Sequence, residues 1–549
     1  MNKQRTGIQN SEFRIQKWLA LSPFHLVTLS LLLSGCAALD LGPEPSSVIT
    51  PTQAVTPDTQ PSYDLNIPGA TTTPATQPAI TPLTLSLQDA ILATLKNNPS
   101  LKVQRYNVPI ARTAEEGQRA AFDPVLTGQI SGGRTNTPLS RSNPSAGNTN
   151  NDAINSELNV QQFFPTGTTV ALDGTTQYSA SSFYSGDTVV TRGGLTVTQS
   201  LLRGGDMDAN LALLREAQID TRSSQYELRA FAEALISTLE QAYWDYALAQ
   251  RQMDIVQDAL DVALAQLRDT NSRIDVGSVA PTERAAAEAE VALRRELLIN
   301  ARGNLDQARL RLVQLIAAPK TADWSRPVQL ANQPFTPPAQ SDNVEDHIQI
   351  ALAQRPEINQ AKLQIKRGDL EVVRTKNGLL PKLDLFVTLG KSGYAESFGG
   401  SLTNLNGPSY DAMAGVSVQY PLLNRAAKAD ARRATLSREQ ADEALSNLTQ
   451  TVQVDVRSAY IDVTRSREQI AATAASRIAQ ETTATVEQEK FRVGKSTSLL
   501  VAQAQRDLLT AQIAEVQAVV NHLKALTALY RLEGSLLTRR FISAPAPKF

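Results

Sequence analysis

Two very long amphipathic segments constrain the fold of this chain more than any other feature. In the first, apolar residues recur every three or four positions over eleven steps, and the mean spacing of about 3.5 residues is the period of a coiled coil. The stripe comprises Leu228, Phe231, Leu235, Leu239, Ala242, Tyr246, Ala249, Met253, Val256, Leu260, Leu264 and Leu267. It predicts a helix over 206–276, ~106 Å long at 1.5 Å per residue, and a counterpart of ~100 Å over 426–493. Helices this long cannot fit inside an ordinary globular core, so they must pack side by side as rods.

Composition supports long helices and excludes several functions. The chain has 549 residues, of which 42% are hydrophobic and 5% aromatic, a balance typical of long helices and not of a compact aromatic core. Its 53 basic and 54 acidic residues give a net charge of −1, which argues against a nucleic-acid partner. One cysteine and three scattered histidines (His25, His347 and His522) exclude a disulfide framework, and they give no support to a bound metal. We expect no cofactor.

No catalytic constellation is apparent. The Gly-Gly pairs at 193–194, 204–205 and 399–400 lack the following Lys-Ser/Thr of a phosphate-binding loop. No His/Ser/Asp or Cys/His pattern indicates a nucleophile with its base. The sequence therefore predicts that the protein is not an enzyme.

The N-terminus is similar to a bacterial lipoprotein signal. A basic stretch precedes an apolar run that ends in Leu33-Ser34-Gly35-Cys36. This pattern predicts a cleaved signal peptide at 1–35 and an acylated (palmitate-bearing) Cys36 that holds the chain in the outer membrane; the alternative is a signal anchor with an incidental cysteine. The Pro/Thr-rich segment 36–82 then forms an extended tether, because proline removes helix and strand donors.

The remainder of the chain contains an internal duplication. Proline and Val-Gly landmarks recur collinearly at offsets of 257 and then 217 residues; they are Pro99 and Pro356, Pro124 and Pro381, and Val276-Gly277 and Val493-Gly494. We infer two structural repeats, 83–335 and 336–541, followed by a tail at 542–549. Each repeat is predicted to run helix, strands, long helix, tight turn and return helix.

The turns and return helices follow from glycine and cap residues. Gly277 and Gly494 supply the left-handed conformation that ends a helix, and Pro281 or Ser496-Thr497 can begin the next one. Return helices are expected over 282–317 and 497–533. A shorter helix over 99–121, stacked on 282–317, would lie beside the long helix as a second rod.

Strands are predicted between the shorter helices and the long ones. Segments 381–389 and 414–420 flank a Gly/Ser/Asn-rich loop at 390–410, and segments 124–132 and 188–199 correspond to them in the first repeat. Period-two alternation in these segments is typical of transmembrane barrel strands. An insertion at 156–178, broken by Pro165-Thr166-Gly167, is either an extra strand pair or an ordered surface loop.

Together these features resemble the TolC-type outer-membrane efflux family, over roughly 84–540. The motifs that carry the resemblance are Asn98-Pro99-Ser100-Leu101, Gln199-Ser200-Leu201-Leu202-Arg203-Gly204-Gly205, Pro381-Lys382-Leu383-Asp384-Leu385 and Phe491-Arg492-Val493-Gly494. The resemblance implies a mainly α fold with β. Long coiled-coil helical hairpins form a periplasmic α-barrel tunnel, and a transmembrane β-barrel is shared among the protomers of a homotrimer. A periplasmic adaptor (membrane fusion) protein and an inner-membrane pump or exporter are the implied partners.

The resemblance also implies the functional residues. The two turns become periplasmic tips that dock the adaptor through Val276, Gly277, Ser278, Val493, Gly494, Lys495 and Thr497. The alternative is that the glycines only end helices. Glu283 falls on a position of the family's acidic tunnel gate, although it is equally a favourable carboxylate at a helix N-terminus. The second repeat has Leu500 and Gln503 instead, so the usual charged latch and cation selectivity are in doubt.

We therefore predict an outer-membrane exit duct of a tripartite efflux system that passively conducts small toxic compounds. A channel for type I protein secretion is one alternative. A lipid-tethered coiled-coil spacer that conducts nothing is the other.

Overall fold

The computed structural model describes residues 83–138, 147–182, 186–318, 323–337 and 343–542. The predicted signal peptide, Cys36 and the tether lie outside these residues, and so does the tail beyond Ile542. Most of each predicted repeat lies within them.

Long helices account for most of the described chain. The two longest are α4 (Met207–Asp275) and α9 (Arg425–Arg492), each within a residue of its prediction, and the return helices are α5 (Glu283–Ile316) and α10 (Ser498–Leu532). The other helices are α1 (Leu87–Asn97), α2 (Pro99–Arg105), α3 (Asn107–Arg119), α6 (Val344–Gln354), α7 (Pro356–Asn377), α8 (Phe398–Thr403) and α11 (Leu536–Arg539). None of the described helices is both long enough and apolar enough to cross a membrane.

Shorter helices stack end to end to complete rods beside the long ones, as predicted. Asn98 donates from Nδ2 to the carbonyl of Leu315 at 3.3 Å, which joins the start of α2 to the end of α5. At the corresponding junction of the second repeat, Gly534 after α10 lies against the backbone of Arg355, which precedes α7. Since α4 packs against α3, α5, α7 and α10, and α9 packs against α7 and α10, the described helices of each chain form four rods side by side.

A six-stranded antiparallel sheet leads into the rods. Its strands, in the order in which they neighbour one another, are β2 (Val125–Pro138), β3 (Asn148–Phe163), β4 (Thr168–Ser181), β5 (Thr188–Ser200), β7 (Lys382–Ala395) and β8 (Tyr410–Gln419). The insertion in the first repeat is therefore the strand pair β3–β4, and not a surface loop.

The two faces of this sheet differ in polarity. One row of facing residues, on one side of the sheet, runs Leu126, Val160, Leu172, Leu195, Leu389 and Ala412. The next row, on the opposite side, runs Thr127, Asn159, Asp173, Gly194, Gly390 and Asp411. Since Leu126, Leu172 and Leu389 are exposed, the sheet presents an apolar surface on one side and a polar one on the other.

The main hydrophobic core lies at mid-length of α4. Tyr243, Trp244 and Tyr246 are buried there, and the hydroxyl of Tyr246 donates to the carbonyl of Val328 at 2.6 Å. Val328 belongs to β6 (Val328–Leu330), which pairs in parallel with β1 (Leu83–Leu85) beside this core. These aromatic residues therefore pack between the rods.

Some predicted boundaries were wrong. The helix expected over 99–121 is divided at Tyr106 into α2 and α3, because Pro109, in the first turn of α3, has no N–H to bond to Arg105. The loop expected over 390–410 is only partly a loop, since β7 continues to Ala395 by pairing with β5 and α8 follows. The strand expected over 124–132 likewise extends to Pro138 because β3 pairs with it along its length.

Candidate functional site

The two helical turns at the end of the rods are the candidate functional site, and both are built the same way. At the end of α4, Ser278 N–H donates to Arg273 O at 2.9 Å and Gly277 N–H donates to Ile274 O at 2.9 Å. At the end of α9, Lys495 N–H donates to Lys490 O at 2.8 Å and Gly494 N–H donates to Phe491 O at 3.0 Å. This pair of bonds is the Schellman cap, which satisfies carbonyls that a helix end leaves without partners.

Glycine is required in both caps for its backbone conformation. Gly277 has φ +74° and Gly494 has φ +73°, which other L-residues adopt only with strain. A Cβ atom at either position would meet no atom within 4 Å. The surface beside each glycine is therefore open, and nothing within the described chain packs against it.

The helices restart differently after the two turns. Thr497 caps α10 by accepting a hydrogen bond from Leu500 N–H at 3.4 Å, as predicted. Thr282, which precedes α5, makes no side-chain cap; the first turn is closed instead by Glu283 N–H and Arg284 N–H donating to Ala280 O and Pro281 O. The start of α5 is thus closed by backbone bonds, whereas the start of α10 is capped by a side chain as well.

Arg273 of α4 joins the two tips. Its guanidinium donates to Phe491 O at 3.3 Å and Arg492 O at 3.4 Å at the end of α9, and it lies 5.1 Å from the centre of the Phe491 ring. A cation at a helix C-terminus is favourable because the last carbonyls carry partial negative charge. The predicted docking residues of the two repeats are therefore brought side by side.

Glu283 makes a second contact between the hairpins. Ser498, in the first turn of α10, donates its hydroxyl to Glu283 Oε2 in the first turn of α5. The carboxylate therefore has a structural role within one chain, whether or not it also faces a tunnel. The position 217 residues later is Leu500, which is exposed.

Each tip exposes one valine. Val276 is 78% exposed and Val493 is 57% exposed, beside the two open glycines. The charges behind Val493 are paired within α9: Lys490 with Glu487 at 2.6 Å and Arg492 with Glu489 at 2.8 Å.

Local hydrogen bonds also perturb one acidic group near the second tip. Lys490 and Ser496 both donate to the Glu487 carboxylate, and these bonds lower the pKa of Glu487 below its ordinary value. The Ser496 bond, 2.8 Å long, fixes the turn to the end of α9. The arrangement is a preorganised, exposed surface with an apolar side chain at each tip, and it is suited to binding another protein.

Sequence reasoning identified both turns but missed part of what joins them. Arg273 links the two hairpins, whereas Arg284 bonds Asn271 of its own hairpin at 3.0 Å. Ser498 and the ring of Phe491 were not predicted as linking residues. The duplication could have indicated them, because it implies that the two turns lie at the same end of the rods and that residues beside the turns can meet.

Comparison with known proteins is consistent with this architecture. Residues 158–318 and 347–535, more than half of the chain, match the sequence profile of the outer membrane efflux protein family. The crystal structure of the Campylobacter jejuni CmeC outer membrane channel superposes with a TM-score of 0.62 at 17% identity, covering 86% of this chain and 94% of that one.

Two relatives are similar at the sequence level. The pyoverdine export outer membrane protein OpmQ of Pseudomonas aeruginosa is 26% identical over 332 residues, 59% of this chain and 66% of that protein. The outer membrane efflux protein BepC of Brucella suis is 25% identical over 344 residues, 62% of this chain and 72% of that protein. The alignment thus spans just under two thirds of the length of OpmQ.

Proposed function

The chain belongs to the outer membrane efflux protein family, and from that premise we propose that it is the exit duct of a tripartite efflux system. Three copies would form a β-barrel in the outer membrane, continued by a helical tunnel into the periplasm. A periplasmic adaptor protein and an inner-membrane pump would deliver the cargo. The chain itself conducts passively and performs no chemistry.

The observation that carries the proposal is the two-faced sheet joined directly to rods of ~100 Å. A sheet with one apolar and one polar face suits a wall between lipid and water. Six strands in open order leave two edges unpaired within the described chain, and an unpaired edge is not tolerated in lipid. Closure therefore requires further copies, which supports the trimer.

The tips support the adaptor. Val276 and Val493 expose apolar side chains beside glycines with open surface, a surface that costs free energy in water and is stabilised by a partner. We extend the docking surface proposed from the sequence (Val276–Ser278, Val493–Lys495 and Thr497) by adding the Arg273 bridge that holds its two halves together.

Small molecules are the proposed cargo. One relative is described as a pyoverdine export protein and the other as an efflux protein, and the lipid anchor proposed at Cys36 agrees with drug-efflux members of the family. Protein secretion and a non-conducting spacer are the outcomes that the following experiment distinguishes.

We would place a photo-crosslinking residue at Val276 in living cells and identify the captured protein by mass spectrometry. Val276 is preferable to Thr497, because Thr497 caps α10 and its replacement would disturb the turn. Capture of a periplasmic adaptor is expected. The control is Ile299 on α5, which is 69% exposed but lies about five helical turns from the tip, and it should capture no adaptor.

Deletion of the gene supplies the second readout. Increased susceptibility to several small toxic compounds, with unchanged secretion of proteins, is expected. Loss of a secreted protein alone would favour the type I secretion channel. Neither phenotype, together with no adaptor captured at Val276, would favour the spacer.

A further inference from the structure

The six-stranded sheet has an inserted hairpin that the second repeat lacks. The first repeat supplies β2, β3, β4 and β5, whereas the described part of the second supplies only β7 and β8. By the duplication, β2 corresponds to β7 and β5 corresponds to β8, so β3 and β4 are the addition. The inserted hairpin is paired on both sides: β3 pairs with all of β2, starting at Val125 with Gln161, and β4 pairs with β5 as far as Ser179 with Thr188.

The inserted hairpin is also tied to the second repeat by a charge bridge. Arg192 of β5 donates to Asp411 of β8 at 2.8 Å and to Asp173 of β4. The guanidinium crosses β7 because Gly194 and Gly390 leave room for it: a Cβ at either glycine would lie within 2.6 Å of an Arg192 nitrogen. The bridge thus spans four strands, β4, β5, β7 and β8, on the polar face.

Both edges of the sheet are suited to a second copy of the chain. In the described strands, β2 pairs only with β3 and β8 only with β7, and every residue of β2 is exposed. With an even number of antiparallel strands, β2 and β8 run in opposite directions. The β8 of one copy and the β2 of the next can therefore pair antiparallel at each seam.

The polarity of the two edges also matches. On β2, Leu126 and Ile130 lie on the apolar face and Thr127 lies on the polar face. On β8, Val416 lies on the same apolar face and Ser417 on the same polar face. A seam between the two edges thus continues both faces without interruption.

We propose, on the basis of the trimeric duct above, that three copies close through β2–β8 seams into one barrel of 18 strands whose wall includes the inserted hairpin. Strands spaced ~4.8 Å apart and tilted ~40° then enclose a barrel ~36 Å across, against ~24 Å for about 12 strands. About twelve rods at ~9 Å spacing form a ring ~35 Å across. At this tilt a barrel of 18 strands is about as wide as the ring of rods.

Cysteine pairs across the seam test the closure. On the polar face, Thr127→Cys or Gln129→Cys in β2 is combined with Met413→Cys or Ser417→Cys in β8, in the full chain in outer membranes. The pairs are extended in steps of two residues (~7 Å) along the polar positions of β2 and β8, so that any register of the seam brings at least one pair within the Cα separation of a disulfide. Mild oxidation should produce covalent dimers and trimers and nothing larger. The matched control, Thr175→Cys in β4 with Met413→Cys, should remain monomeric.

Three results of the seam experiment would overturn the proposal. They are the absence of crosslinks in all pairs, dimers from Thr127→Cys alone, and crosslinked species larger than trimers. The first result would contradict pairing of β2 with β8. The second would indicate that β2 pairs with β2 of another copy, and the third would contradict closure by three copies into 18 strands.

A second measurement tests whether the inserted hairpin lies in the wall. Leu158 and Asn159 of β3 are on opposite faces. Asn159→Cys should react with a water-soluble maleimide at least about ten times faster than Leu158→Cys in membranes, because lipid shields the apolar face, and detergent denaturation should equalise them. Equal rates before denaturation would exclude the hairpin from the wall.

These results are separable from those of the proposed function. If seam trimers form but Val276 captures no adaptor, the barrel of 18 strands is supported and the proposed efflux function is contradicted. If Val276 captures an adaptor but no seam crosslinks form, the proposed efflux function is supported and the barrel of 18 strands is contradicted.

Discussion

Replacing Gly277 by alanine tests whether the first tip depends on a left-handed cap. Gly277 has φ +74°, and an L-residue in that region costs about 1–2 kcal/mol. A Cβ there would meet no atom within 4 Å, so no steric cost adds to the conformational one. We expect the tip to open more easily while the rest of the protein keeps its stability.

Hydrogen exchange measures this opening directly. The Gly277 and Ser278 amides are bonded at 2.9 Å to carbonyls in the last turn of α4, and they exchange when that turn opens. A cost of about 1–2 kcal/mol predicts amide exchange about 5–30 times faster. Gly277→Asn should have a smaller effect, because asparagine tolerates the left-handed region.

Two other glycines serve as controls, one expected to tolerate alanine and one expected to be damaged more than Gly277. Gly303 lies within α5 with open space around it, so Gly303→Ala should stabilise the helix by about 0.5–1 kcal/mol and leave the tip unchanged. Gly534 combines φ +69° with a Cβ site 2.9 Å from Arg355 Cα, and Gly534→Ala should be the most damaging. Tip exchange in Gly277→Ala no faster than in Gly303→Ala would refute the reasoning.

Three further changes test the core, a buried carboxyl and the link between the tips. Leu312→Ala removes a fully buried side chain and should cost about 2–5 kcal/mol in thermal unfolding, whereas Leu310→Ala, 42% exposed in the wild type, should cost under about 1 kcal/mol. Burial raises the pKa of Glu233 from 4.5 to about 7 against the opposing effect of Arg229. A folded pKa above the unfolded one means that stability is lost as the pH rises from 4.5 to about 7, by about 3 kcal/mol in all. Glu233→Gln should remove most of this loss in melting curves at about pH 5 and pH 8, and an unchanged pH dependence would count against it. Arg273→Met should speed amide exchange in the last turn of α9 about tenfold by removing a charged donor from its carbonyls, and unchanged exchange there would contradict the bridge.

Much of the helical architecture was predictable because its determinants are local. The apolar spacing along 206–276 and the glycines at 277 and 494 act within a few residues of themselves, so both long helices and both caps were located within a residue. The duplication supplied the one long-range fact needed to place the two turns at the same end.

The sheet was less predictable because strand pairing joins residues far apart in sequence. Alternation alone left 156–178 as a strand pair or a loop, and only its pairing with β2 and β5 decided between them. The same pairing carried β2 to Pro138 and β7 to Ala395, through Gly/Ser/Asn-rich sequence with little strand preference of its own.

The contacts between the repeats depended entirely on the packing of distant segments. Arg273 meets the carbonyl of Phe491, and Arg192 meets Asp411, across more than two hundred residues of chain in each case. No local pattern specifies the partner of either arginine. Periodicity and backbone preference are local, so the amino-acid sequence was enough to define where the rods begin, end and turn. Which strands pair and which charges join the repeats became known from the folded chain, because those energies arise between residues that only folding makes neighbours.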